Sequence, residues 1–136
     1  MTGIDLWEFH VAVKNHDIHM NSEALSNIVV KGMQERKAQD ITILDLTAVK
    51  NAVADYFVIC SATSDTQADS ISESIEKFVH KEANEKPWMT EGKNNKEWIL
   101  IDFANVVAHV FKNDKRDHYN LESLWGDAKI IEVESV

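Results

Sequence analysis

Cysteine, proline and arginine are all scarce: Cys60 and Pro87 are single occurrences, and Arg36 and Arg116 are the only arginines among 136 residues. One thiol excludes an intrachain disulfide and every Cys-rich zinc site, and it suits a reducing compartment, cytosolic or organellar. Long apolar runs are missing too. The longest, such as Tyr56–Cys60, are strand-sized, far short of the roughly 18 residues that a membrane-spanning helix needs. The basic side is thin: 14 Lys and Arg stand against 23 Asp and Glu, a net charge of −9. A negative field repels phosphate backbones at long range, so direct nucleic-acid recognition is not expected and any partner is expected to be basic.

What remains is ordinary globular material. With 44% hydrophobic and 27% charged residues the chain suits one domain with one core. A chain of this length buries roughly two thirds of its unfolded surface and needs neither disulfide nor metal to stay folded. Residues 1–19 show no clean period and are read as an N-terminal extension, with the domain spanning 20–136. The first twenty residues carry Asp5, Glu8 and Asp17, and no arginine precedes Arg36, so neither a signal peptide nor a presequence is visible and a cytoplasmic location is expected. His16 and His19 have an i, i+3 spacing, but no third metal ligand stands at a matching interval.

From Ser22 the pattern turns helical. Leu25, Ile28, Val29 and Met33 recur at helical intervals, with Asn21 or Ser22 as cap, and predict a helix to about Ala38. Ile41–Leu46 reads as a strand, and Asp55–Cys60 as a second one apolar at nearly every position, hence buried on both faces. Ser64-Asp65-Thr66-Gln67 matches a capping box, opening a helix with an inward stripe of Ala68, Ile71, Ile75, Phe78 and Val79 and an end near Asn84. A loop follows over 86–96, containing Pro87 and Gly92, with a short edge strand around Trp88–Thr90. Glu97–Phe103 and Asn105–Phe111 predict an antiparallel hairpin. Asp114–Trp125 predicts one closing helix capped by Asp114 and terminated by Gly126. The order α-β-β-α-β-β-β-α implies a single α/β domain, a mixed sheet of four or five strands flanked by helices.

Alternation sorts the hairpin into two faces. Ile99, Ile101, Val106, Ala108 and Val110 form a wholly apolar face suited to lie beneath helices. The other mixes Trp98, Leu100, Asp102, Asn105, Val107, His109 and Phe111. Uncovered, this is interface material, since interface centres favour large aromatics. Covered by the closing helix, or by the loop with Pro87 and Trp88, it is a second core layer. Periodicity leaves both arrangements open.

Catalytic constellations are incomplete. Asp45, Asp55 and Asp102 stand at or near strand ends, where a metal-dependent phosphoryl or nucleotidyl transferase places its carboxylates. The link Ser61-Ala62-Thr63-Ser64 has no glycine to bring backbone amides against phosphate, and turn capping accounts for the aspartates. Cys60 reads as a small buried hydrophobe, although His109 would be a partner if adjacent. Neither Ser61 nor Ser64 lies in a Gly-x-Ser-x-Gly elbow, and His80 and His118 read as exposed. No enzyme, metal or cofactor is expected.

Five linked segments carry a resemblance. Asp55-Tyr56-Phe57-Val58-Ile59-Cys60-Ser61, Glu91-Gly92, Trp98-Ile99-Leu100-Ile101-Asp102, His109-Val110-Phe111 and Tyr119-Asn120-Leu121-Glu122-Ser123-Leu124-Trp125 stand in the order and spacing of the ribosomal silencing factors, also called Iojap or RsfS. The chain resembles that family from about Ser22 to Ala128, departing from it at Phe103, where the family usually has tyrosine, and at His118, usually an aromatic. The resemblance implies a domain similar in fold to nucleotidyltransferases but without their activity. It implies binding to protein L-fourteen of the large ribosomal subunit, steric block of small-subunit joining, and lowered translation when nutrients are scarce. An acidic chain suits such a basic ribosomal protein better than rRNA. The binding role then falls on Trp98, Leu100, Asp102, His109 and Phe111, with Glu91 and Tyr119 at the rim. The alternatives are a metal-dependent nucleotidyltransferase-like enzyme and an adaptor in large-subunit assembly.

Overall fold

The computed structural model describes residues 21–134, so the expectations about 1–19, including the His16 and His19 spacing, lie outside the described residues. The elements in chain order are α1 (Ser22–Glu35), β1 (Gln39–Asp45), β2 (Tyr56–Ala62), α2 (Asp65–Ala83), β3 (Met89–Glu91), β4 (Trp98–Asp102), β5 (Val106–Lys112), α3 (Asn113–Tyr119), α4 (Leu121–Leu124) and β6 (Lys129–Glu132). The strands form one open sheet in the order β3-β4-β5-β2-β1-β6. Only β2 and β5 run parallel; every other neighbouring pair is antiparallel. The sheet thus has six strands rather than four or five. The additional one, β6, is an edge strand with all four residues exposed, and Lys-Ile-Ile-Glu lacks the alternation by which a half-buried strand is recognised.

Helices α1 and α2 cover one face. Asn21 caps α1 by accepting the Ala24 amide at 2.8 Å, while the Ser22 hydroxyl donates instead to Asp55 at 2.8 Å. Leu25, Ile28, Val29 and Met33 from α1 and Ala68, Ile71, Ile75 and Val79 from α2 meet Ile43, Val58, Cys60, Ile99, Ile101, Val106, Ala108 and Val110 in one core. Each Leu, Ile, Val or Met among them, fully buried, contributes roughly 1.5–3 kcal/mol. The expected apolar hairpin face is therefore core.

The capping box at α2 is displaced by one residue. Ser64 Oγ accepts the Gln67 amide at 3.1 Å, but Gln67 Oε1 takes the amide of Thr63 at 2.7 Å rather than that of Ser64. Its Nε2 donates to the carbonyls of Arg36 and Lys37, so one side chain ties the start of α2 to the end of α1.

The closing segment differs most from expectation. Asn120 adopts a left-handed conformation (φ 46°), ends α3, and with its own side chain accepts the Ser123 amide that opens α4. Asparagine tolerates that conformation better than most residues, which is why the expected single helix divides there. Lys112, not Asp114, occupies the cap position of α3, without a side-chain bond.

The helix pair sets a tight steric limit at Gly32. A Cβ there would lie 2.8 Å from Ile75 Cα, and the Gly32 carbonyl accepts from the buried Ser74 hydroxyl at 2.8 Å. Gly32→Ala is expected to lower unfolding stability by about 1–3 kcal/mol through overpacking, despite alanine's better helix propensity. Urea denaturation measures it.

Candidate functional site

The second face of the sheet is covered unevenly. Leu44, Leu46, Phe57, Ile59, Val107, Phe111 and Leu121 form a smaller core there, with Trp98, Leu100 and Trp125 packed against it. The α3–α4 segment lies over the centre of this face, so that part is an ordinary core layer. Toward β4 and β3 the cover stops: Trp98, Leu100 and Asp102 are half-buried and Tyr119 is 41% exposed. The loop bearing Pro87 does not close the gap, since Trp88 is 83% exposed. Both sequence-level arrangements thus occur on one face.

Arg116 holds the closing segment in place. Its guanidinium donates to the Asp40 carbonyl, to Ser61 Oγ at 3.0 Å, to Thr42 Oγ1 at 3.0 Å and to Glu122 Oε2 at 2.8 Å. The planar fork engages β1, β2 and α4 at once, which an ammonium group cannot do. Thr42 passes the link on by donating to Glu132 of β6 at 3.2 Å. In the sequence Arg116 stands out only as one of two arginines. The residue type was the available signal, but its partners are assembled by the fold.

At the open end the rings interlock. Trp98 stacks on Phe111 with centroids 5.0 Å apart and leans on Tyr119 at 4.6 Å. The indole Nε1–H donates to Nδ1 of His109 at 3.0 Å. An indole N–H only donates, so Nδ1 must be unprotonated and the neutral imidazole carries its proton on Nε2. Burial pushes the imidazole down to about 3, so it remains neutral at ordinary pH.

Five of the seven proposed contact residues, Glu91, Trp98, Leu100, Asp102 and Tyr119, are at least partly exposed on this end of the sheet. His109 and Phe111 correct the expectation in one respect. They are 2% and 1% exposed, closed over by Trp98, Tyr119 and neighbouring rings, and so form the floor beneath the surface rather than the surface itself. Met89 is exposed on the same surface. Met89 pairs with Asp102, and Glu91 with Leu100, so both share their face; the alternation of the expected edge strand was the signal for it.

Gly92 allows β3 to reach β4. Its φ is +88°, and a Cβ would come within 1.9 Å of the Trp98 carbonyl oxygen. Only glycine meets both conditions.

The aspartates have local duties. Asp45 accepts the Thr47 amide and hydroxyl at 2.9 and 2.6 Å, and these bonds hold its carboxyl below the usual range. Asp102 accepts the Ala104 amide at 2.7 Å, while Asp55 receives Ser22. Among the described residues no cluster of three His, Cys, Asp or Glu side chains is placed to hold a metal, and no helix is long and apolar enough to cross a membrane. Cys60 and His109 belong to opposite faces of the sheet and do not form a nucleophile pair. Burial pushes the thiol up to about 12.

By architecture this is a single-domain α/β protein with an open mixed sheet, two long helices on one face, and a short helical segment beside a half-covered aromatic patch on the other. Residues 19–136 match the family described as ribosomal silencing factor during starvation, RsfS, and the chain belongs to that family. It is 36% identical over 115 residues to the ribosomal silencing factor RsfS of Bacillus subtilis, covering 85% of this chain and 96% of that protein. It is 28% identical to the mouse protein named mitochondrial assembly of ribosomal large subunit protein 1, covering 79% of this chain and 47% of that one. A crystal structure of a Chromobacterium violaceum protein superposes with a TM-score of 0.73 at 29% identity, covering 79% of this chain and 88% of that one.

The buried neutral His109 has a stability consequence. Its folded value of about 3 lies below the ordinary 6.5 of an exposed imidazole, so the unfolded chain binds a proton that the folded one does not. Stability therefore falls as pH drops below about 6.5, with a limiting slope of about 1.4 kcal/mol per pH unit. His109→Gln is expected to flatten the loss between neutrality and pH 5 in urea titrations. Equal slopes in the two proteins would contradict the assignment.

Proposed function

We propose that this chain docks on protein L-fourteen of the large ribosomal subunit and, by occupying the subunit-joining surface, prevents association of the small subunit and lowers translation under nutrient limitation. The observation that carries the reading is the half-covered face, where Trp98, Leu100, Met89 and Tyr119 stand among Glu91 and Asp102. Aromatic anchors within a polar rim are the usual composition of a protein-binding centre. The net charge of −9 favours a basic ribosomal protein over rRNA as the surface met. The mechanism is occlusion: no bond is made or broken, no cofactor is needed, and effectiveness depends on residence on the subunit. The bacterial relative supports a cytoplasmic setting.

A second reading, as an adaptor in large-subunit assembly, is favoured by the name of the mouse relative. The two differ in outcome, because an adaptor binds precursor particles without blocking mature subunits.

Light scattering during the association of purified subunits tests this directly. Preincubation of large subunits with the protein is expected to suppress joining while the protein co-sediments with them. Trp98→Ala, checked for a native fold, is expected to weaken binding by about 2 kcal/mol or more, roughly 30-fold, as befits a central anchor. Co-sedimentation with undiminished joining would favour the assembly role.

A further inference from the structure

Beside the aromatic patch lies a depression of about 260 Å³ lined by Glu91, Gly92, Asn95, Glu97, Trp98, Leu100 and Tyr119. Its walls combine two indole and phenol rings, one aliphatic side chain and two carboxylate residues from three separate segments: the end of β3, the 92–97 loop with the start of β4, and the end of α3. We propose that this depression is a receptor for a single lysine or arginine side chain projecting from the partner. The inference rests on the docking reading above and names the chemistry of one contact within it.

Three observations carry it. First, the indole N–H of Trp98 is already given to His109 at 3.0 Å, so the ring has no hydrogen bond left to offer and presents only carbon and π surface. A π surface attracts cations, and tryptophan is the strongest of the aromatic residues in this respect. Second, no salt bridge engages Glu91 or Glu97 among the described residues: Lys96 pairs with Asp69 at 3.1 Å, and Lys112 pairs with Asp65 at 3.2 Å while Glu97 acts on it only through a weaker electrostatic attraction. A purely apolar guest would strip water from those carboxylates without replacing it, which disfavours an apolar occupant. Third, the shape is fixed. Gly92 brings the loop against the Trp98 carbonyl, the Asn95 side chain accepts the Glu97 amide at 3.1 Å, and Tyr119 rests on Trp98 at 4.6 Å. A preformed depression loses little entropy on filling. A long basic side chain satisfies all the walls, with its methylenes on Leu100 and the rings and its charge at the carboxylates.

The test uses the full chain and two short probes, acetyl-Gly-Arg-Gly-amide and acetyl-Gly-Leu-Gly-amide, followed by proton–nitrogen NMR. The arginine peptide is expected to shift the Trp98 indole and the Gly92 and Asn95 amides saturably, the leucine peptide is not, and Glu91→Gln with Glu97→Gln is expected to abolish the effect. The same double variant is expected to bind large subunits at least about tenfold more weakly, with a shallower salt dependence. Absence of saturable shifts into the tens of millimolar, or equal response to leucine, overturns the receptor. So does unchanged subunit affinity in the double variant while the wild type binds, and the docking reading then stands. Saturable arginine binding by a wild-type protein that does not sediment with subunits would leave the receptor in place and remove the docking reading.

Discussion

Arg116 is the constraint on which the second half of the molecule depends. It is the only arginine with its guanidinium tucked among strands, and it reaches a backbone carbonyl of β1, hydroxyls on β1 and β2, and a carboxylate on α4. Short helices of seven and four residues have no stability of their own in water. They remain over the sheet because the guanidinium and the buried Leu121 fasten them there. With that segment placed, Tyr119 is delivered to Trp98 and the edge of the covered region is defined. The clamp therefore determines where the aromatic patch begins.

The asymmetry of the sheet follows from this arrangement. One face receives two helices, fourteen and nineteen residues long, and is sealed. The other receives one short segment, sufficient for β1, β2 and part of β5 but not for β4 and β3. A chain that leaves Trp98, Met89 and Tyr119 partly in water accepts a solubility cost, which its strong negative charge offsets. Beneath them, His109 and Phe111 form a closely packed floor, and the His109 ring nitrogen that accepts the Trp98 indole N–H orients it. Such packing suits the proposed docking surface, since a preformed surface loses little entropy on binding.

Much of this was legible in the residues. The α1 and α2 stripes, the strand with both faces buried, the hairpin and its inward face all follow from period and capping chemistry, because burial on a single face imprints itself on spacing. That Trp98, Leu100 and Asp102 share one face was readable from alternation; that they stay half-uncovered was not. Other features were not. β6 lies exposed at an edge, so no burial pattern marks it; the break at Asn120 depends on one left-handed residue inside a run that otherwise reads as helical. The burial of His109 and Phe111 depends on where α3 ends, and the Arg116 partners come from segments up to 76 residues away. Long-range convergence of that kind leaves no local trace. The five-segment resemblance to the silencing factors supplied the family, which the match over residues 19–136 bears out, whereas the contact residues themselves stand as proposals.

The half-covered face, rather than the one under α1 and α2, is the side proposed to meet the large subunit. Photo-crosslinking tests it most directly: a benzophenone amino acid at Leu100, and separately at Glu73 on the outer side of α2, irradiated with purified large subunits and analysed by mass spectrometry. Position 100 is expected to capture one large-subunit protein, a basic one, and position 73 none. Capture from position 73 with silence at position 100 would contradict it and turn attention to the opposite side of the molecule.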